Sequence, residues 1–487
     1  MKIVIVENPR PLTIEHYNDV ANAPLSASLN SGYALAVARR AGWEAVHLDF
    51  TVASLDAAAM AADILAEEAD IVLFHWVYSW GHEESVRSVL NMLRRESAAA
   101  LGAFGLFPTL SGKTLLQYAP PLDFVLAGEF EATLAELLSS FAKSHAIAPL
   151  PGIILRGEEF VPRPLIADLA LLPLPDDVGV NRSYTSMNIA ASRGCYGDCS
   201  FCFIHRYYGC SRRRVRDLES LEREVAVRLS CRDIDSLYFI DPTFIGRGES
   251  ERERVLDIGR MARRFGLPFG FETRVDSFDA ALMASLAELG AASVFLGIES
   301  GCDSVLQRLG KRITTGQIRS AVRAVRESGM QLNLGFIMFE PDSTLAELEE
   351  NYTFLDELEL LDRHELTANL LYHNQIVLHG SAAWKRFDRE GRLLLDEKLP
   401  FEARYRFLDE RVGLVCAAMG RLSSAYFSVL DSILKGHSVV ADGGAVNELV
   451  KDAFRSLCRA ARSLPPHQVA DVEAEFAARL HDTLALR

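Results

Sequence analysis

The chain has 487 residues, 49% hydrophobic and 24% charged, which predicts two or three globular domains with sizeable cores and excludes a disordered or fibrous chain. Asp and Glu number 66 against 51 Lys and Arg, a formal net charge of −15. A surface so acidic repels nucleic acid and anionic membrane and suits small-molecule chemistry, mildly favouring a cationic substrate, although an acid excess also serves solubility alone. The opening MKIVIVENPRP has no cleavage-site pattern, and no apolar run reaches membrane-spanning length. A cytoplasmic setting is therefore expected, with neither nucleic acid nor membrane as partner. In that reducing compartment the eight cysteines are not read as disulfides.

In chain order, KIVIV has the pattern of a buried strand, and SGYALAVARRAG reads as a helix closed by Gly42. WEAVHLDF is the next strand, AAAMAADILAEEA a helix and DIVLFHWV a third strand. ESVRSVLNMLRRES is amphipathic, with Val86, Val89, Leu90 and Leu93 on one face. AAALGAFGLF and DFVLAG read as strands and EATLAELLSSFAKSH as a helix. Such alternation predicts a doubly wound parallel sheet over residues 1–145. Residues 146–187 are proline-rich and read as a linker packed along a domain surface. From 188 to 380 the alternation resumes, with strands MNIAASRG, SLYFID, FGFETRVD, SVFLGIES and LNLGFIMF between helical stretches. An α/β unit of this kind predicts a partial (β/α)6 barrel with chemistry-bearing loops at one end of its strands. Residues 381–487, including FEARYRFLDERVGLVCAAMG, read as a small helical C-terminal region.

The segment SRGCYGDCSFCF places Cys195, Cys199 and Cys202 in a C-x3-C-x2-C spacing directly after a predicted strand. Three thiolates on one tight loop suit three irons of a cubane cluster, with the fourth iron left open. Gly194 and Gly197 let the loop wrap closely. Zinc usually takes four ligands with paired C-x2-C spacing, and there is no second pair; a redox dithiol needs only two cysteines. Cys210, Cys231, Cys302, Cys416 and Cys458 lack ligand spacing and read as small buried hydrophobes.

These residues resemble the radical S-adenosylmethionine (SAM) superfamily over roughly 188–375, and the resemblance implies a [4Fe–4S] cluster on the three cysteines and SAM as cosubstrate. Phe201 stands at the aromatic position before the last cysteine. YFIDPTF resembles the second-strand motif, whose backbone at Ile240, Asp241 and Pro242 would take the SAM amino group. ETRVD would place Glu272 and Arg274 near SAM or substrate. In FLGIESG, Glu299 and Ser300 would bond the ribose hydroxyls. In LGFIMFEPDST, Gly335, Phe336 and Ile337 would border the adenine. FIHRYYG follows the cluster loop, so His205 and Tyr208 join Asp241 and Glu272 as candidate catalytic acids and bases.

Residues 1–145 resemble the cobalamin-binding domain that precedes many radical SAM cores. In that family a Gly-Gly turn after the fourth strand lets the corrin's nucleotide tail approach. Here AFGLFPTL supplies only Gly105, followed by Leu106 and Phe107, and the D-x-H-x-x-G cobalt-ligand motif is absent. An active cobalamin domain and an empty scaffold both stay open. The layout also resembles the aminoglycoside diol dehydratases of apramycin-type pathways. That resemblance implies radical dehydration of a cationic, aminoglycoside-like sugar, with cobalamin-dependent C-methylation as the alternative. It further implies a flavodoxin or ferredoxin as electron donor and a possible partner reductase.

Overall fold

The computed structural model describes residues 1–487 apart from 10–27, 52–55, 78–82, 178–183, 397–400, 435–442 and 485–487. Its N-terminal part alternates β1 (Lys2–Glu7), α1 (Leu29–Arg40), β2 (Glu44–Asp49), α2 (Ala57–Leu65), β3 (Ile71–His75), α3 (Glu83–Glu96), β4 (Ala100–Phe104), α4 (Leu106–Tyr118), β5 (Phe124–Leu126) and α5 (Glu131–Ser144). The strands form one sheet in the order β2-β1-β3-β4-β5, all parallel. Ile3 to Val6 are fully buried, as a parallel strand covered on both faces requires. Val86, Val89, Leu90 and Leu93 of α3 are all buried, as their helical spacing predicts. Helix α1 ends at Ala41, and Gly42 follows with φ +81°, a left-handed conformation that glycine adopts without steric cost.

The domain boundary expected at residue 145 falls inside this sheet. β6 (Ile153–Leu155), from the proline-rich segment, adds to β5 as an antiparallel edge. Leu169 and Leu172 enter the N-terminal core, and Asp177 pairs with Arg228 of the following domain at 2.9 Å.

The second part runs β7 (Ser186–Ile189), β8 (Ser192–Arg193), α6 (Ile204–Tyr207), β9 (Arg214–Val215), α7 (Leu218–Cys231), β10 (Ser236–Phe239), α8 (Glu249–Arg264), β11 (Phe269–Arg274), α9 (Ala280–Glu288), β12 (Ala291–Glu299), α10 (Asp303–Arg308), α11 (Thr315–Ser328), β13 (Gln331–Phe336), α12 (Leu345–Glu357) and α13 (His364–Tyr372). Five parallel strands lie in the order β7-β10-β11-β12-β13, and a parallel bridge from Phe339 to Asn374 continues them at the sixth position of a partial barrel. Helix α11 shows why the sequence reads clearly here. Thr314 and Gln317 form a capping box, Gly329 closes the helix at φ +77°, and Ile318, Ala321, Val322 and Val325 are its buried stripe.

In each barrel strand the fully buried residues, such as Met187, Ile189, Leu237, Phe239, Val294 and Leu296, pack beneath the helices. The alternate residues face the concave side and are half-buried: Asn188, Tyr238, Glu272, Phe295 and Asn333.

The C-terminal part is mostly helical, as expected, but opens with three short strands. β14 (Val377–Leu378), α14 (Ala382–Arg389), β15 (Leu393–Leu394) and β16 (Glu402–Tyr405) come first, and the three strands form an antiparallel sheet. EARY alternates in burial along β16, with Ala403 and Tyr405 inside, a period of two that a helical reading overlooks. Helices α15 (Glu410–Leu434), α16 (Gly443–Ser463) and α17 (Pro466–Leu484) follow. Their buried residues, including Met419, Phe454 and Leu457, share one continuous core with the barrel. Among the described residues no helix is long and apolar enough to cross a membrane.

Candidate active site

The cysteine loop leaves β8 through Gly194, which has φ +87° and whose missing side chain makes room for the carbonyl oxygen of Arg212. A side chain there would be strained and would strike backbone. Cys195, Cys199 and Cys202 are free thiols on this loop. Ser200 N–H donates to the Leu309 carbonyl at 2.9 Å, and Cys202 N–H to the Cys199 carbonyl at 3.1 Å, so the loop is clamped onto the end of α10.

Two cations stand beside Cys199. Arg274 Nη1 lies 3.7 Å from its Sγ, and Arg274 Nη2 donates to the Lys311 carbonyl at 2.7 Å. Burial pushes the Cys199 and Cys202 thiols up, while Lys311 and Arg274 act on Cys199 in the opposite sense. Among the described residues no three His, Cys, Asp or Glu side chains converge on a single-ion position. Thiols that each take a different iron stand farther apart than ligands of one ion, and the neighbouring cations suit an anionic cluster. Arg274 and Lys311 thus give Cys199 surroundings that suit an anionic cluster.

Glu299 and Lys311 form a buried ion pair at 2.7 Å. Glu299 sits at φ +63°, where the β12–β13 register shifts, a conformation that costs a non-glycine residue roughly 1–3 kcal/mol and is characteristic of functional sites. Gly297 and Gly335 leave the space it needs. A side chain at Gly297 would press on Glu299 and Lys311, and one at Gly335 would meet Glu299 Oε2 at 3.5 Å. Lys311 was missed by the sequence reading, because a single lysine in RLGKRITT carries no local pattern. Phe201 packs on the apolar group of Cys302, Val305, Leu309 and Ile337, so two residues named for the cofactor share one patch.

Other expected site residues lie elsewhere. Asp241 is 0% exposed. It accepts from the Ser192 hydroxyl and, at 2.9 Å, from Ala191 N–H, and burial raises its pKa. It ties the end of β10 to the strand entering the cysteine loop, which corrects the expectation that it faces a substrate. Ser300 is also 0% exposed. Its hydroxyl donates to Asn351 Oδ1 at 2.7 Å and accepts from Cys302 N–H at 3.1 Å, so it is bonded within the protein. Ile240 is 37% exposed at the end of β10 and Pro242 beside it is half-buried. His205 is half-buried, its pKa lowered by burial and by Arg206. Cys231 is exposed, against the expectation of a buried hydrophobe.

Tyr208 is likewise displaced from the barrel. It lies under the Arg214 guanidinium at 5.4 Å, and burial pushes its phenol up to about 12. The adjacent Tyr207 hydroxyl donates to the Gly128 carbonyl at 3.0 Å. Both belong to a buried junction with the N-terminal sheet. Glu129 takes Arg214 in bidentate fashion at 2.7 and 2.9 Å, and Arg193 at 3.2 Å. Arg193 also meets Glu131 at 2.5 Å and covers the Tyr33 ring. Arg193 stands two residues before Cys195, so this junction fixes the strand that carries the cluster loop.

Across the concave face runs a row of polar and aromatic side chains. Asn188 is opposite Tyr238, and Phe295 lies between Glu272 and Asn333. The Tyr238 hydroxyl donates to Glu272 Oε1 at 3.2 Å. Glu272 was named from the sequence, but Asn188, Tyr238 and Asn333 were not. Their signal was available, because amides and carboxylates are unusual in parallel strands, which otherwise read as continuous apolar runs.

Residues 189–355 match the family profile of the Radical SAM superfamily. The chain carries a radical SAM domain. The cofactors of such a domain are a [4Fe–4S] cluster and SAM, and the donor set at Cys195, Cys199 and Cys202, with Arg274 and Lys311 beside it, fits them. Over 264 residues the chain is 27% identical to an uncharacterized methyltransferase of Pyrococcus horikoshii, covering 52% of this chain and 56% of the relative. Over 331 residues it is 28% identical to the hopanoid C-3 methylase of Methylococcus capsulatus, covering 62% and 59%. The chain thus spans little more than half the length of these curated relatives. Among solved structures it is similar to the cobalamin-dependent SAM radical enzyme OxsB with aqua-cobalamin and SAM bound. The TM-score is 0.76 at 17% identity, over 99% of this chain and 80% of that one, a likeness of fold.

The place of a cobalamin tail can be tested on Gly105. This residue has φ +114°, and a side chain on it would stand 2.9 Å from both His75 Cδ2 and the Trp76 carbonyl. His75 is held over it by Glu7 at 2.7 Å and by Asn30 at 3.2 Å. Its ring packs on Phe104 at 4.8 Å, and Phe104 packs on Phe130 at 4.7 Å. Phe107, at the second glycine's neighbour, turns into the core against Phe401. His75 and the aromatic rings pack closely about Gly105, so no side chain can replace its hydrogen.

Proposed function

We propose that this chain is a radical SAM enzyme that abstracts hydrogen from a small polar molecule held against the concave face of the barrel, and that the outcome is transfer of a methyl group to the substrate carbon from a second SAM, which leaves as S-adenosylhomocysteine. The observation that carries the first part is the three-thiol loop flanked by Arg274 and Lys311. Bound there, the cluster and SAM supply a 5′-deoxyadenosyl radical. The residues of the chain bind, orient and exclude water. Lys311 offers a buried positive charge to a carboxylate, and Glu299 offers a buried acceptor to hydroxyl or ammonium groups. Glu272, hydrogen-bonded by Tyr238, is placed to hold or move a proton at the substrate. The names of the curated relatives, a methyltransferase and a methylase, support methyl transfer.

A second reading, radical dehydration of a polyhydroxylated amine, draws on AFGLFPTL, which has only Gly105 where two glycines are expected, and it needs no methyl donor. One experiment separates the two. The anaerobically reconstituted protein is incubated with SAM, dithionite and candidate substrates, including an aminoglycoside precursor, and the product is weighed by mass spectrometry. Methyl transfer yields 5′-deoxyadenosine and a product heavier by one methylene. A product lighter by one water overturns the methylation reading. If no candidate gives a new product while SAM is still cleaved, the substrate class named here is wrong.

A further inference from the structure

The three sulfurs of the cysteine loop differ in what bonds them. Cys195 Sγ accepts from the neutral backbone N–H of Gly197 at 3.3 Å, and Cys202 from the backbone of Ile204. Among the described residues Cys199 alone meets a charged donor, Nη1 of Arg274 at 3.7 Å. The other nitrogens of that guanidinium are already engaged. Nε donates to Asp276 at 2.8 Å and Nη2 to the Lys311 carbonyl at 2.7 Å. For Nη1 the Cys199 sulfur is the sole acceptor among the described residues. Gly197 makes this approach possible, because a side chain there would stand 2.9 Å from Nη1.

The two cations beside Cys199 also differ in how their charge is matched. Lys311 is paired one to one with Glu299 at 2.7 Å. Asp276 is shared between Arg274 at 2.8 Å and the exposed Arg247 at 3.0 Å, so this trio carries a net positive charge. The Arg274 side chain is 7% exposed, and a charge withdrawn from water acts more strongly on its neighbours than a solvated one. A cluster that gains one electron becomes more negative by one charge. A cation hydrogen-bonded to one of its sulfurs therefore stabilises the reduced form more than the oxidised form and raises the reduction potential.

We propose that Arg274 is a positioning residue that holds the Cys199 sulfur and, through it, sets the reduction potential of the cluster. The inference rests on the reading of Cys195, Cys199 and Cys202 as cluster ligands. The electron comes from an external one-electron reductant and enters the cluster, with no atom transferred. An ion pair that merely closed the end of β11 would need only Nε and Nη2, which both reach Asp276. The turn of Nη1 onto sulfur, in the room left by Gly197, is what assigns the further role.

The test compares reconstituted wild type with Arg274→Gln, Arg274→Lys and Asp276→Asn, all without SAM. Each is poised with dithionite and redox mediators at a series of potentials, and the electron paramagnetic resonance signal of the reduced cluster is integrated. At the wild-type midpoint, Arg274→Gln should show an oxidised-to-reduced ratio higher on the order of tenfold, which corresponds to about 59 mV for one electron, with about four irons retained. Arg274→Lys keeps the charge and should recover most of the shift. Asp276→Asn leaves Arg274 in place but removes its counter-charge, so its midpoint should move the opposite way. An unchanged midpoint in Arg274→Gln with its irons in place overturns the proposal, as does a Lys variant shifted as far as the Gln variant. If Arg274→Gln holds no cluster, Asp276→Asn decides, and an unchanged or lowered midpoint there overturns the proposal. Wild type that assembles no cluster contradicts the cluster reading itself, a result distinct from the others.

Discussion

Replacing Cys195, Cys199 and Cys202 together by Ala is expected to remove the cluster absorption and abolish SAM cleavage while leaving the fold intact. The thiols make few other contacts. Cys195 Sγ accepts from Gly197 N–H at 3.3 Å, and Cys199 Sγ meets Arg274 at 3.7 Å, both weak sulfur interactions. The backbone bonds that clamp the loop to Leu309 involve no side chain and persist. Each substitution should cost on the order of 1 kcal/mol of stability or less. Loss of cleavage therefore reports lost ligation rather than unfolding, and far-ultraviolet circular dichroism checks the distinction. A triple variant that still forms 5′-deoxyadenosine shows that the radical chemistry lies elsewhere.

Glu129→Ala should be the most destabilising single change outside the hydrophobic cores. Its carboxylate is the shared acceptor for Arg193 and Arg214, both buried. Its removal leaves those guanidinium groups short of an acceptor in a dry junction, where an uncompensated charge costs about 3–5 kcal/mol. The midpoint of urea unfolding measures the loss, and Glu129→Gln should recover part of it by keeping an acceptor oxygen. Burial by itself pushes the Glu129 carboxyl up, but Arg214, Arg193 and the backbone N–H of Ile166 together outweigh it and hold the pKa below the ordinary carboxylate value. A depressed folded pKa contributes stability that is fully present above the unfolded value and is lost as pH falls through the folded one. Wild type should therefore lose stability below about pH 4.3, the ordinary Glu value, and Glu129→Ala should lose less over that range. Equal acid sensitivity of the two proteins would show that this carboxylate does not hold the junction.

The parts of this molecule that were legible in its sequence are those set by short-range rules. The cysteine spacing, the α3 stripe, the capping box of α11 and the alternation of strands and helices all lie within a few residues of one another. Glu129, by contrast, meets partners 64 and 85 positions away, and nothing near EFEATL marks it as the anchor of a distant arginine. Tyr208 and Asp241 were placed at the substrate for their chemistry and their nearness to the motifs. Their burial is decided by long-range packing, which turns one towards the N-terminal sheet and closes the other onto Ser192. β16 was hidden because EARY is short and is followed by a long amphipathic helix, whose period dominates any wide window.

The most direct test of the central claim is the electron paramagnetic resonance spectrum of the dithionite-reduced, anaerobically reconstituted protein, recorded with and without SAM. A [4Fe–4S] cluster held by only three cysteines leaves one iron open to SAM, so about four irons per chain and a spectrum that changes when SAM is added are expected. A protein that binds a single metal ion, or a cluster whose signal is indifferent to SAM, would contradict the account.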